Sequence, residues 1–359
     1  MLLIWLTGKA PLRIRYMNKT NHPLRGILVG LGNHGQVWNN VCNAREDVEI
    51  VAFVGRSETS RQLAISQWGV ENNKVYATLP EAINSCQADF VLDVTPPSVH
   101  RQVALDTFAA GLPLLGEKPL SDDLVTAREI VEAGEAAGCI HMVAQQQRFN
   151  PIIRTARRLL TSDTIGPPGQ VDISFAVPWA DWPGTHYVTE PFMFLLDMGC
   201  HHFDMIRYFL GMDPESVHVI SWNLPWGWHQ GDACHVAVFD FCDGLKVVHR
   251  ATGCTLGEKT SWLGNWHADG PAGSMSWHEN KILISHEHRA NPPHLEEVPV
   301  DFDHPRHQKD PLLDEFLSAI TEKREPECSG RDNLSTMSMT FAAVESAKTG
   351  RPVKIESLS

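Results

Sequence analysis

The stretch Gly26-Ile-Leu-Val-Gly30-Leu-Gly32-Asn-His-Gly35-Gln-Val37 leaves the chain few ways to begin folding. An apolar strand, Ile27 to Val29, runs into glycines spaced G-x-G-x-x-G, and a helix-compatible run follows from Gln36. Each glycine in such a turn has its own task. Gly30 permits the tight turn off the strand. Gly32 lets backbone N–H groups approach an anion with no Cβ in the way, and Gly35 lets the new helix pack closely on the sheet. Glycine-rich turns are common, but a strand before and a helix after make this one a candidate pyrophosphate cradle. Gly30, Gly32, Asn33, His34 and Gly35 are the candidate cofactor contacts there.

The residues that follow agree. From Arg25 to Asn150, strand-like runs at 26–29, 48–54, 90–94, 112–115 and 140–144 alternate with amphipathic segments at 60–68, 79–86, 98–110 and 121–137. In the last of these, Leu124, Ala127, Ile130, Val131 and Gly134 recur at helical spacing behind Ser121 and Asp122, read as caps. The alternation predicts an α/β domain, a parallel sheet covered on both faces, with ligands beyond the carboxyl ends of its strands. The second strand ends Val54-Gly55-Arg56-Ser57, where an NAD-type site usually carries an acid for the ribose hydroxyls. A guanidinium cannot accept from a hydroxyl, but it pairs well with a 2′-phosphate. Arg56 and Ser57 therefore point to NADP(H) as the preferred cofactor, with NAD(H) possible. The fourth strand ends in Thr95-Pro96-Pro97-Ser98-Val99-His100, where Ser98 is placed to cap a helix. The fifth reaches Glu117-Lys118-Pro119, and a strand carrying Gln145, Gln146 and Gln147 leads into Arg148-Phe149-Asn150-Pro151.

Beyond Pro151 the pattern changes. Asp197, His201 and Asp204 stand at i, i+4 and i+7, one face of a helix, and Phe203, Ile206 and Leu210 form an apolar stripe before a stop at Gly211. On that spacing Asp197 is expected to hydrogen-bond His201 and raise its basicity, while His202 points about 100° away and packs or faces solvent. Strands are expected at 217–222, 234–241, 246–254, 273–277 and 281–286. Tryptophans 222, 226, 228, 262, 266 and 277 are more than one ring-stacking ligand site needs, so most read as core or subunit-interface residues. Two helices close the chain, one through Leu312, Leu313, Phe316, Leu317 and Ile320, the other over 333–347.

Taken in order, Gly30-x-Gly32-x-x-Gly35, Thr95-Pro96-Pro97-x-x-His100, Glu117-Lys118-Pro119, Arg148-Phe149-x-Pro151 and Asp197-x-Gly199-x-His201-x-x-Asp204 resemble the glucose–fructose oxidoreductase / inositol dehydrogenase / rhizopine catabolism (Gfo/Idh/MocA) family. The resemblance runs from about Arg25 to the C-terminus. It implies a Rossmann domain, then an α+β domain on a large, mostly antiparallel open sheet, and NAD(P)-dependent oxidation or reduction of sugars, polyols and related carbonyls. It also implies that Lys118, Asp197 and His201 meet at the reacting carbon, and that Thr95, Pro96, His100, Glu117 and Lys118 contact the cofactor. Arg148, Asp204, His186 and Tyr187 are the expected substrate contacts, and the outer face of the sheet the expected homodimer or homotetramer contact. One departure stands out: where the family often has a glycine-rich run before the helix, this chain reads Thr189-Glu-Pro-Phe-Met-Phe194.

The expected domains are an N-terminal extension over 1–24, the Rossmann domain over 25–150, the α+β domain over 151–310, and helices over 311–359 returning towards the first domain. The extension, disordered and dispensable or mis-assigned, has an apolar run too short to span a bilayer and its positive charges on the wrong side for a signal peptide. A net charge of −13 without a lysine-rich block argues against nucleic acid or anionic membrane as a partner. Eight scattered cysteines suit reduced thiols in a cytoplasmic enzyme, and eighteen histidines show no metal-ligand spacing. Two other readings stay open: a sensor or scaffold that binds the cofactor without turnover, and a reductase of a non-sugar carbonyl or imine.

Overall fold

The computed structural model describes residues 22–179, 188–286, 294–300 and 309–356. The expectations for residues 1–21 and for His186 and Tyr187 lie outside them. The chain divides into two compact units. The first takes the described residues up to Glu117, Glu129–Met142 and Leu313–Glu327; the second takes Lys118–Arg128, Val143–Leu312 and the chain from Cys328 onward.

The first unit alternates β1 (Leu24–Val29), α1 (Asn33–Asn43), β2 (Val48–Val54), α2 (Glu58–Trp68), β3 (Val75–Tyr76), α3 (Leu79–Ser85), β4 (Phe90–Asp93), α4 (Pro97–Ala109), β5 (Leu114–Gly116), α5 (Leu124–Ala136) and β6 (His141–Val143). The strands run in the order β3-β2-β1-β4-β5-β6, parallel at β1–β2, β1–β4, β2–β3 and β4–β5. Order reverses between β1 and β4, so the glycine loop after β1 opens at the switch point of the sheet, where such folds bind ligands. Ile27, Leu28 and all of Phe90–Leu92 are fully buried, as expected of strands covered on both faces. Thr78 and Glu81 form a capping box on α3.

Two caps differ from expectation. α4 starts at Pro97 with Pro96 outside it and no side-chain cap, because proline's fixed φ already suits a first helical position. At α5 the carboxylate that meets the first turn is that of Asp123, which accepts from the Thr126 N–H at 2.8 Å.

The second unit contains α6 (Pro151–Thr161), β7 (Gln170–Ala176), α7 (Gly199–Leu210), β8 (Ser216–Trp222), β9 (Cys234–Asp240), β10 (Lys246–Thr252), β11 (Asn265–Gly270), β12 (Gly273–His278), β13 (Lys281–Ser285) and β14 (Glu296–Val298). Next come α8 (Asp310–Glu322), most of it in the first unit, then α9 (Gly330–Thr349) and β15 (Val353–Lys354). Its sheet runs β14-β13-β12-β11-β7-β10-β9-β8-β15; β7 and β10 are parallel and the other pairs antiparallel. One face alternates apolar inward: Val171, Ile173, Val247, Ala237, Phe239, Val217, Val219 and Trp266 share a core with Ile152 of α6, Phe203, Ile206 and Phe209 of α7, and Met339 and Ala343 of α9. Trp266 and Trp277, partners in register, stack at 4.7 Å in that core, while Trp222, Trp226 and Trp262 are exposed.

The closing helices part company. Phe316 of α8 packs edge-on against Phe90 at 5.6 Å in the first unit, and α9 lies in the core of the second. Gln146–Phe149 form a 3-10 turn, not the expected strand. Asn150, barred from helical backbone by Pro151, ends that turn and caps α6 by accepting from the Ile152 N–H at 3.0 Å.

Candidate active site

In the first unit the glycine loop leaves room where an anion would need it. A Cβ on Gly30, at φ +106, would meet the Val94 carbonyl oxygen at 2.6 Å, and one on Gly35 would meet the Gly30 oxygen at 2.0 Å, so both must be glycine. Nothing lies within 4 Å of a Cβ built on Gly32. Gly32 also heads α1 without a side-chain cap. The first-turn N–H groups of Asn33 and His34, both exposed, thus face open space at the positive end of the helix. These residues fit the pyrophosphate of a dinucleotide.

Around the ends of β4 and β5 the expected contacts brace one another. Thr95 donates from its N–H (2.9 Å) and hydroxyl (2.7 Å) to Asp93 Oδ1, and its carbonyl meets His100 Nε2 at 2.8 Å. Glu117 accepts from the Trp38 indole at 2.7 Å. His100 and Glu117 are buried, so their side chains shape these loops from beneath. Burial raises the Asp93 carboxyl above the usual range, beyond what His100 and Thr95 offset. After β2, Gly55 is tightly enclosed: a Cβ there would meet Leu31 and Ser60 at 2.8 Å. Arg61 donates to the Gly55 and Arg56 carbonyls, Ser57 caps α2, and the Arg56 side chain is exposed with no partner among the described residues.

The second unit brings Lys118 and Asp197 together, in a way the i, i+4 spacing does not predict. Lys118 Nζ donates to Asp197 Oδ1 at 2.8 Å and to its carbonyl at 3.3 Å. Asp197 does not bond His201. Phe194–Met198 form a π-turn directly before α7, and its extra residue per turn breaks the regular relation between the two positions. Upstream, Phe192 holds φ +56, a left-handed backbone that favours glycine, at the point where the chain departs from the family's glycine-rich run.

His201 is 7% exposed, and its Nδ1 has no partner among the described residues. Burial, then the positive charge of Lys118, holds its pKa well below the ordinary imidazole value. It is neutral at pH 7, which suits a proton acceptor. Arg148 and Asp204, expected on substrate, are committed elsewhere. Arg148 donates to Asp204 through Nε and Nη2, both at 2.7 Å, and to Asp332 at 2.5 Å; Thr336 adds a bond to Asp204. With side chains 5% and 1% exposed, the pair ties the 3-10 turn to α7. Burial works against the Arg148 cation, but its acidic neighbours, Asp204 first, together more than offset it.

His202 was expected to pack or face solvent and does more. It is fully buried, with Nε2 facing the Trp262 carbonyl at 2.9 Å and Nδ1 facing His249 Nε2 at 2.8 Å. Two histidines inside β-strands with no metal spacing offered little to find them by. Among the described residues no His, Cys, Asp or Glu group is arranged to hold a metal, and no helix is long and apolar enough to cross a membrane.

A parallel sheet in the order above, opening on an uncapped glycine loop and followed by a domain on a large open sheet, defines a two-domain nicotinamide dehydrogenase. The chain belongs to the Gfo/Idh/MocA oxidoreductase family: residues 24–145 match its NAD-binding Rossmann domain and residues 153–276 its C-terminal domain. Among curated relatives it is 25% identical to D-apiose dehydrogenase of Paraburkholderia graminis, covering 93% of this chain and 90% of that one. It is also 25% identical to the NAD(+)-dependent scyllo-inositol 2-dehydrogenase of Bacillus subtilis, covering 93% and 97%. In fold it is similar to an Agrobacterium radiobacter oxidoreductase solved with NAD+, L-tartaric acid and magnesium (TM-score 0.82, 22% identity, 92% and 98% covered). A levoglucosan dehydrogenase solved with NADH and levoglucosan is similar too (TM-score 0.79, 19% identity, 94% and 100% covered).

Proposed function

We propose that this enzyme oxidises a CH–OH group of a sugar or polyol, or reduces the matching carbonyl, with Lys118, Asp197 and His201 at the reacting carbon. The observation that carries the reading is a lysine ammonium held by a carboxylate in the same unit as a neutral, buried, unpaired imidazole that feels the lysine's charge. The nicotinamide, when bound, supplies the hydride acceptor. The protein's own residues handle the rest. The ammonium of Lys118 binds the substrate oxygen and stabilises negative charge developing on it, an effect worth several kcal/mol in such sites. Asp197 fixes the ammonium, and the His201 imidazole takes the hydroxyl proton. Reduction runs these steps backwards. The names of the apiose, inositol and levoglucosan dehydrogenases support a polyhydroxylated substrate.

Gly30, Gly32, Asn33, His34 and Gly35 are assigned to the pyrophosphate, and Thr95, Pro96, His100 and Glu117 to the loops that flank the cofactor. The exposed Arg56 and Ser57 support NADP(H) over NAD(H). Eight cysteines, none in a disulfide, support a reducing, cytoplasmic setting. Ile220 and Trp222, 62% and 39% exposed on the outer edge of the second sheet, support a homodimer or homotetramer through that face; a monomeric mass by light scattering would refute it.

The reading is tested by following cofactor absorbance across a panel of aldoses, ketoses, inositols and open-chain polyols. Lys118→Ala and His201→Gln are expected to lower kcat by at least about a hundredfold while NAD(P)H fluorescence titrations stay within a few-fold of wild type. Wild-type turnover in both variants would overturn the assignment.

A further inference from the structure

We propose that the buried series His235, His249 and His202 aims the His201 imidazole, making His249 and His202 positioning residues for the reaction. The proposal rests on the reading of His201 as the proton acceptor.

His201 is buried yet makes no hydrogen bond to any described residue, so nothing on its own ring sets its direction. Its direction depends on how α7 is rotated about its axis. A side-chain tip about 6 Å from a helix axis moves about 1 Å for every 10° of rotation, enough to misplace a catalytic group. The π-turn at Phe194–Met198 precedes α7, so regular upstream hydrogen bonding does not carry that rotation into the helix. The setting comes from residues within α7. Asp204 is held by Arg148, and His202, the immediate neighbour of His201, is held at both ring nitrogens.

The tautomers follow from one acceptor. The Trp262 carbonyl can only accept, so His202 Nε2 carries the proton and its Nδ1 accepts from His249 Nε2–H. His249 Nδ1 in turn accepts from His235 Nε2–H at 3.0 Å. Register places His249 opposite Ala237 and His235 opposite Ala251, diagonal neighbours on the inner face of the sheet. Every link has a donor on one side and an acceptor on the other, with all three rings neutral. Burial agrees, lowering His202 to about 4, His235 to about 3 and His249 well below the ordinary value. Leucine or phenylalanine would fill this space without desolvating polar atoms. Imidazoles add a directional tie from α7 into β10 and β9.

The test is turnover by His249→Phe and His249→Gln at saturating cofactor and substrate, beside His201→Gln. A glutamine amide offers N–H towards His202 and C=O towards His235. His249→Phe is expected to lower kcat roughly 10- to 100-fold with cofactor KM within about twofold, and His249→Gln to restore most of the loss. Wild-type kcat in a folded His249→Phe, or equal loss in both His249 variants, overturns the proposal while an inactive His201→Gln leaves the acceptor role standing. An active His201→Gln overturns the acceptor role itself. If His249→Phe does not fold, nitrogen NMR of histidine-labelled wild type at pH 7 decides: three neutral Nε2–H rings are expected, and an Nδ1–H tautomer at His202 or His249 overturns the tie.

Discussion

Lys118 and Asp197 hold one another at 2.8 Å, so in the proposed mechanism the aspartate acts through the lysine and not through His201. A double-mutant cycle separates the two roles. If Asp197 acts through Lys118, then Asp197→Ala combined with Lys118→Ala is expected to lose no more kcat/KM than Lys118→Ala alone, because the partner is already gone. If Asp197 served His201 independently, the losses would multiply. Motif order in the sequence is what singles out these three residues. Their pairing is not legible there, since i, i+4 logic assumes an unbroken α-helix and the π-turn removes that assumption. The Arg148–Asp204 pairing is hidden for a related reason: a charged residue in a motif looks like a ligand, and only three-dimensional burial shows that each is the other's partner.

At the scale of elements, the loop from β2 to α2 is where the proposed NADP(H) preference is tested. Gly55 is hemmed in by Leu31 and Ser60, so an acidic side chain for ribose hydroxyls cannot enter there without displacing them. Arg56, exposed beside the Ser57 cap, is the residue proposed to meet a 2′-phosphate. Arg56→Ala is expected to raise the NADPH dissociation constant about tenfold or more and leave that for NADH within about twofold, read by fluorescence titration. Equal change for both cofactors would remove the basis for an NADP(H) preference. The strands beside this loop were legible because β1, β2 and β4 are near-continuous apolar runs between turn residues. Others were not. β3 and β15 are two residues each, too short for any periodicity. β7 does alternate in burial, yet its sequence Gln170-Val-Asp-Ile-Ser-Phe-Ala shows no flanking hairpin partner, because it pairs with distant β10 and β11.

At the scale of the whole molecule, burial lowers the pKa of five imidazoles among the described residues: His141 in the first unit, and His201, His202, His235 and His249 in the second. An unfolded-chain imidazole titrates near pH 6.5. Burial lowers His141 and His202 to about 4, so between these pH values the unfolded chain binds more protons than the folded one. Stability therefore falls as pH falls below about 6.5, by about 3 kcal/mol per such group at pH 4, and none of this loss appears above pH 7. Asp93 and Asp204, both raised by burial, oppose the trend, stabilising the fold as pH falls, but they are two groups against five. The urea midpoint is thus expected to be nearly level between pH 7 and 8.5 and to drop steadily from pH 6.5 to 5. His141→Phe, which removes a buried Nδ1 with no partner among the described residues, is expected to flatten that acid slope by up to one proton for the first unit. A midpoint at pH 5 equal to that at pH 7.5 would mean that these imidazoles charge freely in the folded protein, and that His201 does not rest in the neutral form that the proposed mechanism requires.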